Sequence, residues 1–308
     1  MNNSYYFGIE GGGTHSRLAI TDKDGKVLAR SEAGSTNIYS VSKEEVYDNL
    51  SLLLDSALET AGLEKEDLAA GCLGSAGIGR KEEEILLREY FDLLLGPDIK
   101  VKLCSDGEIL LCGGLENLEG YCLISGTGSI ALGRTRRGTL VRAGGLGYML
   151  GDEGSAAWIG KIAIMRVMRS LENRDLATNM LEPILKAAGL SKSSDFIHYM
   201  HYDSDKAKVA SLAPVVTAAA RNGDALALDI LHTSAKELAL LVKCVVNQSP
   251  LISNKELVFT GGVLKHDEII VNKLHEILKQ EFPDLVVSAP KGSALEGACM
   301  LAINLGDL

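Results

Sequence analysis

Proline, paired cysteine and positive charge are all in short supply in this chain. Only six prolines occur in 308 residues, no proline-rich linker separates one region from another, and no low-complexity stretch marks a boundary. The six cysteines (Cys72, Cys104, Cys112, Cys122, Cys244 and Cys299) fall mostly inside strand-like or helical apolar runs. None forms a C-x-x-C pair and no zinc spacing appears, so buried thiols in a reducing cytosol are the plain reading. Lysine and arginine number 31 against 41 acidic residues, and the net charge of −10 argues against broad binding to nucleic acid or to an anionic membrane. An anionic ligand would need local backbone donors and a divalent cation. The amino terminus has no basic stretch followed by an apolar one, so no signal peptide is expected and the cytoplasm is the expected compartment. The longest apolar stretch, residues 226–246, is broken by Asp229, Lys236, Glu237 and Lys243 and reads as an amphipathic helix. The P-loop pattern G-x-x-x-x-G-K-[ST] is missing as well.

What is present is an apolar fraction of 46% over a length for which two domains are the default expectation. The opening reads as a strand at 5–9, a glycine turn, a strand at 16–21, a turn at Asp24-Gly25 and a strand at 27–31. A helix follows over 42–61, with Ser42 as cap, Glu45 completing a capping box, and Val46, Leu50, Leu53, Leu54 and Leu58 at helical spacing. A strand ending at Ser75-Ala76-Gly77, a helix over 81–95 and a strand over 100–104 come next. Residues 121–142 repeat the opening: strand, glycine turn, strand, turn at Arg137-Gly138, strand. The apolar run that ends at Gly261-Gly262 likewise matches the one that ends at Gly77. Two related α/β halves facing a shared cleft are implied, at 1–115 and 116–292. A mainly helical stretch lies in the second, and a last helix in 293–308 packs back on the first.

Three glycine-rich turns each follow a strand: Gly11-Gly12-Gly13-Thr14, Gly126-Thr127-Gly128-Ser129 and Gly261-Gly262. Such turns let backbone N–H groups approach a bulky anion, and three of them suggest a nucleotide held between the halves. The plain alternative for the first is an ordinary hairpin in which glycine supplies positive φ. Glu10 could reach magnesium through water, and Ser125, Thr127 and Ser129 add hydroxyl donors to the second. Gly126-x-Gly128-x-x-Ala131 formally fits a relaxed dinucleotide fingerprint, but a hairpin rather than a helix follows it, which excludes a Rossmann site. Asp106 ends an apolar strand, suiting either a general base for a hydroxyl attacking phosphorus or the cap of a helix starting at Gly107. The segment 144–155 is the densest: its glycines leave room for a ligand, and Asp152 and Glu153 are acceptors for sugar hydroxyls or favour a helix N-terminus. Asn37 could bind substrate or serve its turn. The His198 and His201 pair reads as a surface feature, and the charged run 81–84 as a solvated helix start.

Together these motifs resemble the N-acetylglucosamine kinase group of the BadF/BadG/BcrA/BcrD ATPase family, within the actin/hexokinase/Hsp70-like superfamily. The resemblance implies two duplicated ribonuclease H-like (actin-like ATPase) domains flanking a central cleft. It implies an ATP- and Mg2+-dependent phosphotransferase acting on an amino sugar, N-acetylglucosamine, N-acetylmuramic acid or glucosamine, at the 6-hydroxyl, in a homodimer. It assigns Asp106 as base, and Glu10, Gly11, Gly12, Gly13, Thr14, Gly126, Thr127, Gly128, Gly261 and Gly262 to the nucleotide, with no direct protein ligand to the metal. Asn37, Asp106, Ser129, Gly145, Leu146, Gly147 and Asp152 fall to the sugar. Leu146 stands where the animal enzymes carry an aromatic residue. The alternative from the same superfamily is an ATPase activator of a 2-hydroxyacyl-CoA dehydratase or benzoyl-CoA reductase system, which needs a cysteine pair for an iron–sulfur cluster.

Overall fold

In the computed structural model, which describes residues 5–79 and 81–307, two five-stranded mixed sheets carry the same strand order. The chain divides into two units, Met1–Glu119 with Pro290–Leu308, and Gly120–Ala289.

The first unit opens with β1 (Tyr5–Gly11), β2 (His15–Thr21) and β3 (Val27–Gly34), followed by α1 (Lys43–Ala61), β4 (Leu68–Ser75), α2 (Lys81–Leu95), β5 (Lys100–Cys104) and α3 (Asp106–Gly114). The order is β3-β2-β1-β4-β5, with β1 antiparallel to β2 and parallel to β4, and β5 parallel to β4. Phe7 and Ile9 of the central strand are fully buried, as are Leu18 and Ile20 on β2. Helix α1 buries Val46, Leu50, Leu53, Leu54 and Ala57; at its start the Ser42 hydroxyl accepts the Glu45 N–H at 3.2 Å. The strand read at 5–9 runs on to Gly11, because Gly11 pairs with both Ser16 and Ser75 and the ladder overrides its weak strand preference. Within the charged run, Glu83 is 6% exposed rather than solvated. It accepts the Gly79 N–H at 2.6 Å and the Tyr39 hydroxyl, tying the start of α2 to two loops.

The second unit repeats the pattern with β6 (Gly120–Ser125), β7 (Ser129–Arg134) and β8 (Leu140–Gly144). Six helices intervene: α4 (Ala156–Leu171), α5 (Leu181–Ala188), α6 (Asp195–His198), α7 (Lys206–Ala210), α8 (Ala213–Arg221) and α9 (Ala225–Gln248). Then come β9 (Glu256–Thr260), α10 (Gly262–His266), α11 (Glu268–Glu281) and β10 (Val286–Ser288), giving the order β10-β9-β6-β7-β8. Asp224 caps α9, whose inner face buries Leu226, Ile230, Leu231, Leu238, Val242 and Val245. Each such side chain contributes about 1.5–3 kcal/mol on burial, so α9 anchors the core of this unit. The final helix, α12 (Ala294–Gly306), belongs to the first unit and lies on α3. The two meet backbone to backbone: a Cβ on Gly297 would sit 1.9 Å from the Ile109 carbonyl oxygen, and one on Gly113 1.9 Å from that of Ser293.

Candidate active site

In the first unit the parallel strands β1, β4 and β5 all end at the same sheet edge, where open α/β sheets bind their ligands. The turn after β1 is fastened by hydroxyls: Ser35 Oγ donates to the Gly12 carbonyl at 2.8 Å, and Ser16 Oγ lies 2.8 Å from Thr36 Oγ1. None of Gly11, Gly12 and Gly13 has positive φ, so the hairpin explanation for these glycines fails. Gly11 is instead required by packing, since a Cβ there would meet Thr36 Oγ1 at 2.5 Å. Gly13 and Thr14 form an exposed tip. Asn37 sits in the adjoining loop, its Oδ1 accepting the Tyr39 N–H at 2.9 Å, which leaves its amide NH2 as the donor end.

Asp106 does not cap α3. The cap of α3 is Ser105, whose side chain accepts the Glu108 N–H, so Asp106 is the first helical residue and stands exposed beyond the end of β5. Its Oδ1 accepts the Gly107 N–H at 2.9 Å. A Lys102–Glu108 ion pair at 3.2 Å joins β5 to α3 and fixes that corner. Burial, the largest single influence, would lower the Lys102 pKa, but Glu108 together with Cys104 and Cys72 outweighs it and the net shift is upward. The Glu10 carboxylate pairs with Arg17 at 2.7 Å.

In the second unit the turn after β6 is fastened by backbone. Gly126 N–H donates to the Gly128 carbonyl at 2.9 Å, and the first N–H groups of α4, from Ala156 and Ala157, donate to the carbonyls of Gly126 (2.9 Å) and Thr127 (3.4 Å). The third turn adjoins it: a Cβ on Gly126 would come within 3.6 Å of the Gly262 nitrogen. Of the hydroxyls expected to meet phosphate, Ser125 donates to the Gly154 carbonyl at 3.1 Å and Ser129 to that of Glu153 at 2.7 Å, both buried. Their donors are committed to the fold, and exposed Thr127 remains. Ser129 Oγ thereby braces the 144–155 segment with its donor, leaving its acceptor lone pairs.

That segment is a chain of left-handed residues, Gly144, Gly145, Gly147 and Gly154, with Asp152 at φ 59° among them. Gly145 and Leu146 are exposed, whereas Asp152 is 2% exposed and its Oδ2 lies 2.8 Å from Lys206 Nζ. Ser155, not Asp152 or Glu153, caps α4. Sequence reasoning missed Lys206 and the wall built by α7 and α8. A cavity of about 700 Å3 opens there, lined by Gly126, Thr127, Ala207, Pro214, Arg221 and Gly262 among others. Its size suits a nucleotide-sized ligand. Asp267, also on the wall, is engaged as the cap of α11, accepting the N–H groups of Ile269 and Ile270 at 3.1 Å and the Thr217 hydroxyl. Among the described residues no three His, Cys, Asp or Glu side chains are grouped to hold a metal, and no helix is long and apolar enough to cross a membrane.

The family model described as BadF/BadG/BcrA/BcrD ATPase matches residues 7–302. The chain belongs to this ATPase family. An N-acetylmuramic acid/N-acetylglucosamine kinase of Clostridium acetobutylicum is 36% identical over 97% of this chain and 98% of its own. An N-acetyl-D-glucosamine kinase of Dictyostelium discoideum is 28% identical over 99% of each. Among solved structures, a candidate N-acetylglucosamine kinase of Chromobacterium violaceum superposes with a TM-score of 0.72 at 25% identity, over 98% of this chain and 99% of that one. The duplicated topology of this BadF/BadG/BcrA/BcrD ATPase is thus shared with that candidate sugar kinase.

Proposed function

We propose that the chain is an ATP-dependent kinase that phosphorylates the 6-hydroxyl of an amino sugar, N-acetylglucosamine or N-acetylmuramic acid. The observation that carries this reading is the full-length, 36% identical kinase acting on those two sugars. The cavity against the second and third glycine turns supports it with a place for the nucleotide: adenosine between α8 and Gly261-Gly262, and phosphates toward Gly126, Thr127 and Gly128. Gly11, Gly12, Gly13 and Thr14 take the phosphates from the first unit in this scheme. Asp106, exposed at the end of β5, accepts the proton of the attacking sugar hydroxyl, and Asn37, Gly145, Gly147 and Asp152 orient the sugar. Glu10 would hold Mg2+ through water, and the ion would supply neutralisation of the charge that develops on the ATP phosphates.

An ATPase activator carrying an iron–sulfur cluster would need accessible cysteines. Five of the six cysteines are buried and Cys244 is half-covered, and burial pushes the Cys299 thiol up to about 12. The kinase reading is tested by coupled assay of the purified protein with Mg-ATP against glucose, glucosamine, N-acetylglucosamine and N-acetylmuramic acid. Turnover with the N-acetylated sugars well above that with glucose is expected. Absence of turnover with every amino sugar would remove it.

A further inference from the structure

A side chain outside the glycine turns places positive charge against the second of them. Lys206 opens the short helix α7, next in the chain to Ala207 on the cavity wall. Its ammonium reaches back to the second turn, where a Cβ on Gly128 would lie 2.7 Å from Lys206 Nζ and 2.8 Å from Asp152 Oδ2. Gly128 in turn follows Thr127, which lines the same cavity. Asp152 pairs with the ammonium at 2.8 Å from a position almost closed to solvent, while the lysine side chain keeps 37% exposure. An aspartate with φ 59° is an uncommon conformation for a residue with a side chain, and it persists only where its surroundings impose it. Here it directs a buried carboxylate at the ammonium of a lysine that precedes the wall residue Ala207 and reaches the turn at Gly128.

We propose that Lys206 is a phosphate-binding residue: its ammonium, held by Asp152, engages the β- or γ-phosphate of ATP at the turn Gly126-Thr127-Gly128. This rests on the kinase reading above. The chemistry is direct. A protein of net charge −10 offers no general attraction for a triphosphate, so each local cation counts. A lysine acts on phosphate as a compact point charge and needs no fixed fork geometry. The α-phosphate and adenosine would remain with the cavity itself, so Lys206 should distinguish nucleotides by the length of their phosphate tail.

The test is calorimetric titration of ATP, ADP and AMP into the wild-type protein, Lys206→Met, Lys206→Arg and the double variant Asp152→Asn/Lys206→Met, with kcat measured alongside. Loss of one charge-assisted contact predicts that Lys206→Met weakens ATP by about 10- to 100-fold and leaves AMP near the wild-type value. It also predicts a lower kcat, with Lys206→Arg recovering most of the ATP preference. If Lys206 served only to neutralise Asp152, affinity for all three nucleotides would fall together in Lys206→Met, and the double variant would recover it. That result, or an unchanged ratio of ATP to AMP affinity in Lys206→Met, overturns the proposal. Should Lys206→Met fail to fold, the double variant decides: a lost ATP preference supports the phosphate role and a normal one refutes it. If wild-type protein bound no ATP, the kinase reading itself would fall.

Discussion

The glycine turns after β1 and β6 are the same hairpin fastened in different ways. The first is held by side chains, Ser35 Oγ to the Gly12 carbonyl and Ser16 Oγ to Thr36, and its tip at Gly13 and Thr14 stands in solvent. The second is held by the backbone of α4 and carries a lysine–aspartate pair against its last glycine. The sheets beneath them have the same order, so the difference comes from what each unit adds after its third strand. The first unit adds the single helix α1, and the second adds six helices that close a cavity. In the reading proposed here, the plainer unit supplies the base and one phosphate turn, and the elaborated one supplies the adenosine cavity and the other turn.

The sharpest way to break that division is Asp106→Asn. Removal of a general base lowers kcat by about 10²–10⁴-fold. ATP affinity, read by calorimetry, should keep its wild-type value because the cavity lies wholly in the other unit. Parallel loss of both would make Asp106 a structural residue. Next in size is Gly297→Ala, whose methyl must push α12 from the Ile109 carbonyl. Overpacking of this kind costs about 1–3 kcal/mol, or roughly 2–4 °C of Tm per kcal/mol in a unit of this size, read by thermal melt. A smaller pair of variants compares the turns themselves. Gly128→Ala crowds Lys206 and Asp152 and should weaken ATP about tenfold, a loss of about 1.4 kcal/mol. Gly13→Ala meets only Ser40 Oγ, at 3.3 Å, and should weaken it less. Equal effects would mean that the fastening does not matter.

Where elements are amphipathic and locally punctuated, the sequence was sufficient. Helix α2 and strand β5 fall where apolar spacing puts them, and the twofold repeat is visible because hairpin glycines such as Gly25 and Gly138 need positive φ. The candidate site was only half legible. A serine beside a glycine turn looks like a phosphate donor, but Ser125 and Ser129 spend their hydroxyls on carbonyls of the 144–155 segment, a long-range choice that no local pattern records. Lys206 had no signal at all: an isolated lysine in a helical stretch becomes a site residue only when the fold brings α7 against Asp152. Glu83 went the same way, from solvated run to buried acceptor.

Acid should expose the second unit through its helical addition. Arg166 on α4 clamps Asp175 with 2.7 and 3.0 Å bonds and holds that carboxyl down at about 2, below its ordinary 3.8. A carboxylate depressed in the folded state adds stability that is present above the unfolded pKa and lost as pH falls through the folded one. That contribution should therefore vanish between about pH 4 and pH 2. Arg166→Ala should flatten this part of the stability–pH curve in urea melts. An unchanged acid limb would assign the loss to other carboxylates.

The smallest effect concerns the Glu10–Arg17 pair at the foot of the first turn. Both side chains are partly exposed, 28% and 46%, so the pair is worth at most about 1 kcal/mol and Arg17→Ala should barely move the melt. The magnesium dependence is the more telling readout. Arg17 masks the charge of Glu10, and a weak exposed pair can part when a divalent cation competes for the carboxylate. With Arg17 gone, Glu10 should draw Mg2+ more strongly, and half-maximal activity should be reached at a lower Mg2+ concentration. An identical Mg2+ curve in wild type and Arg17→Ala would place Glu10 out of the metal's reach. The first turn would then contribute backbone and Thr14 alone.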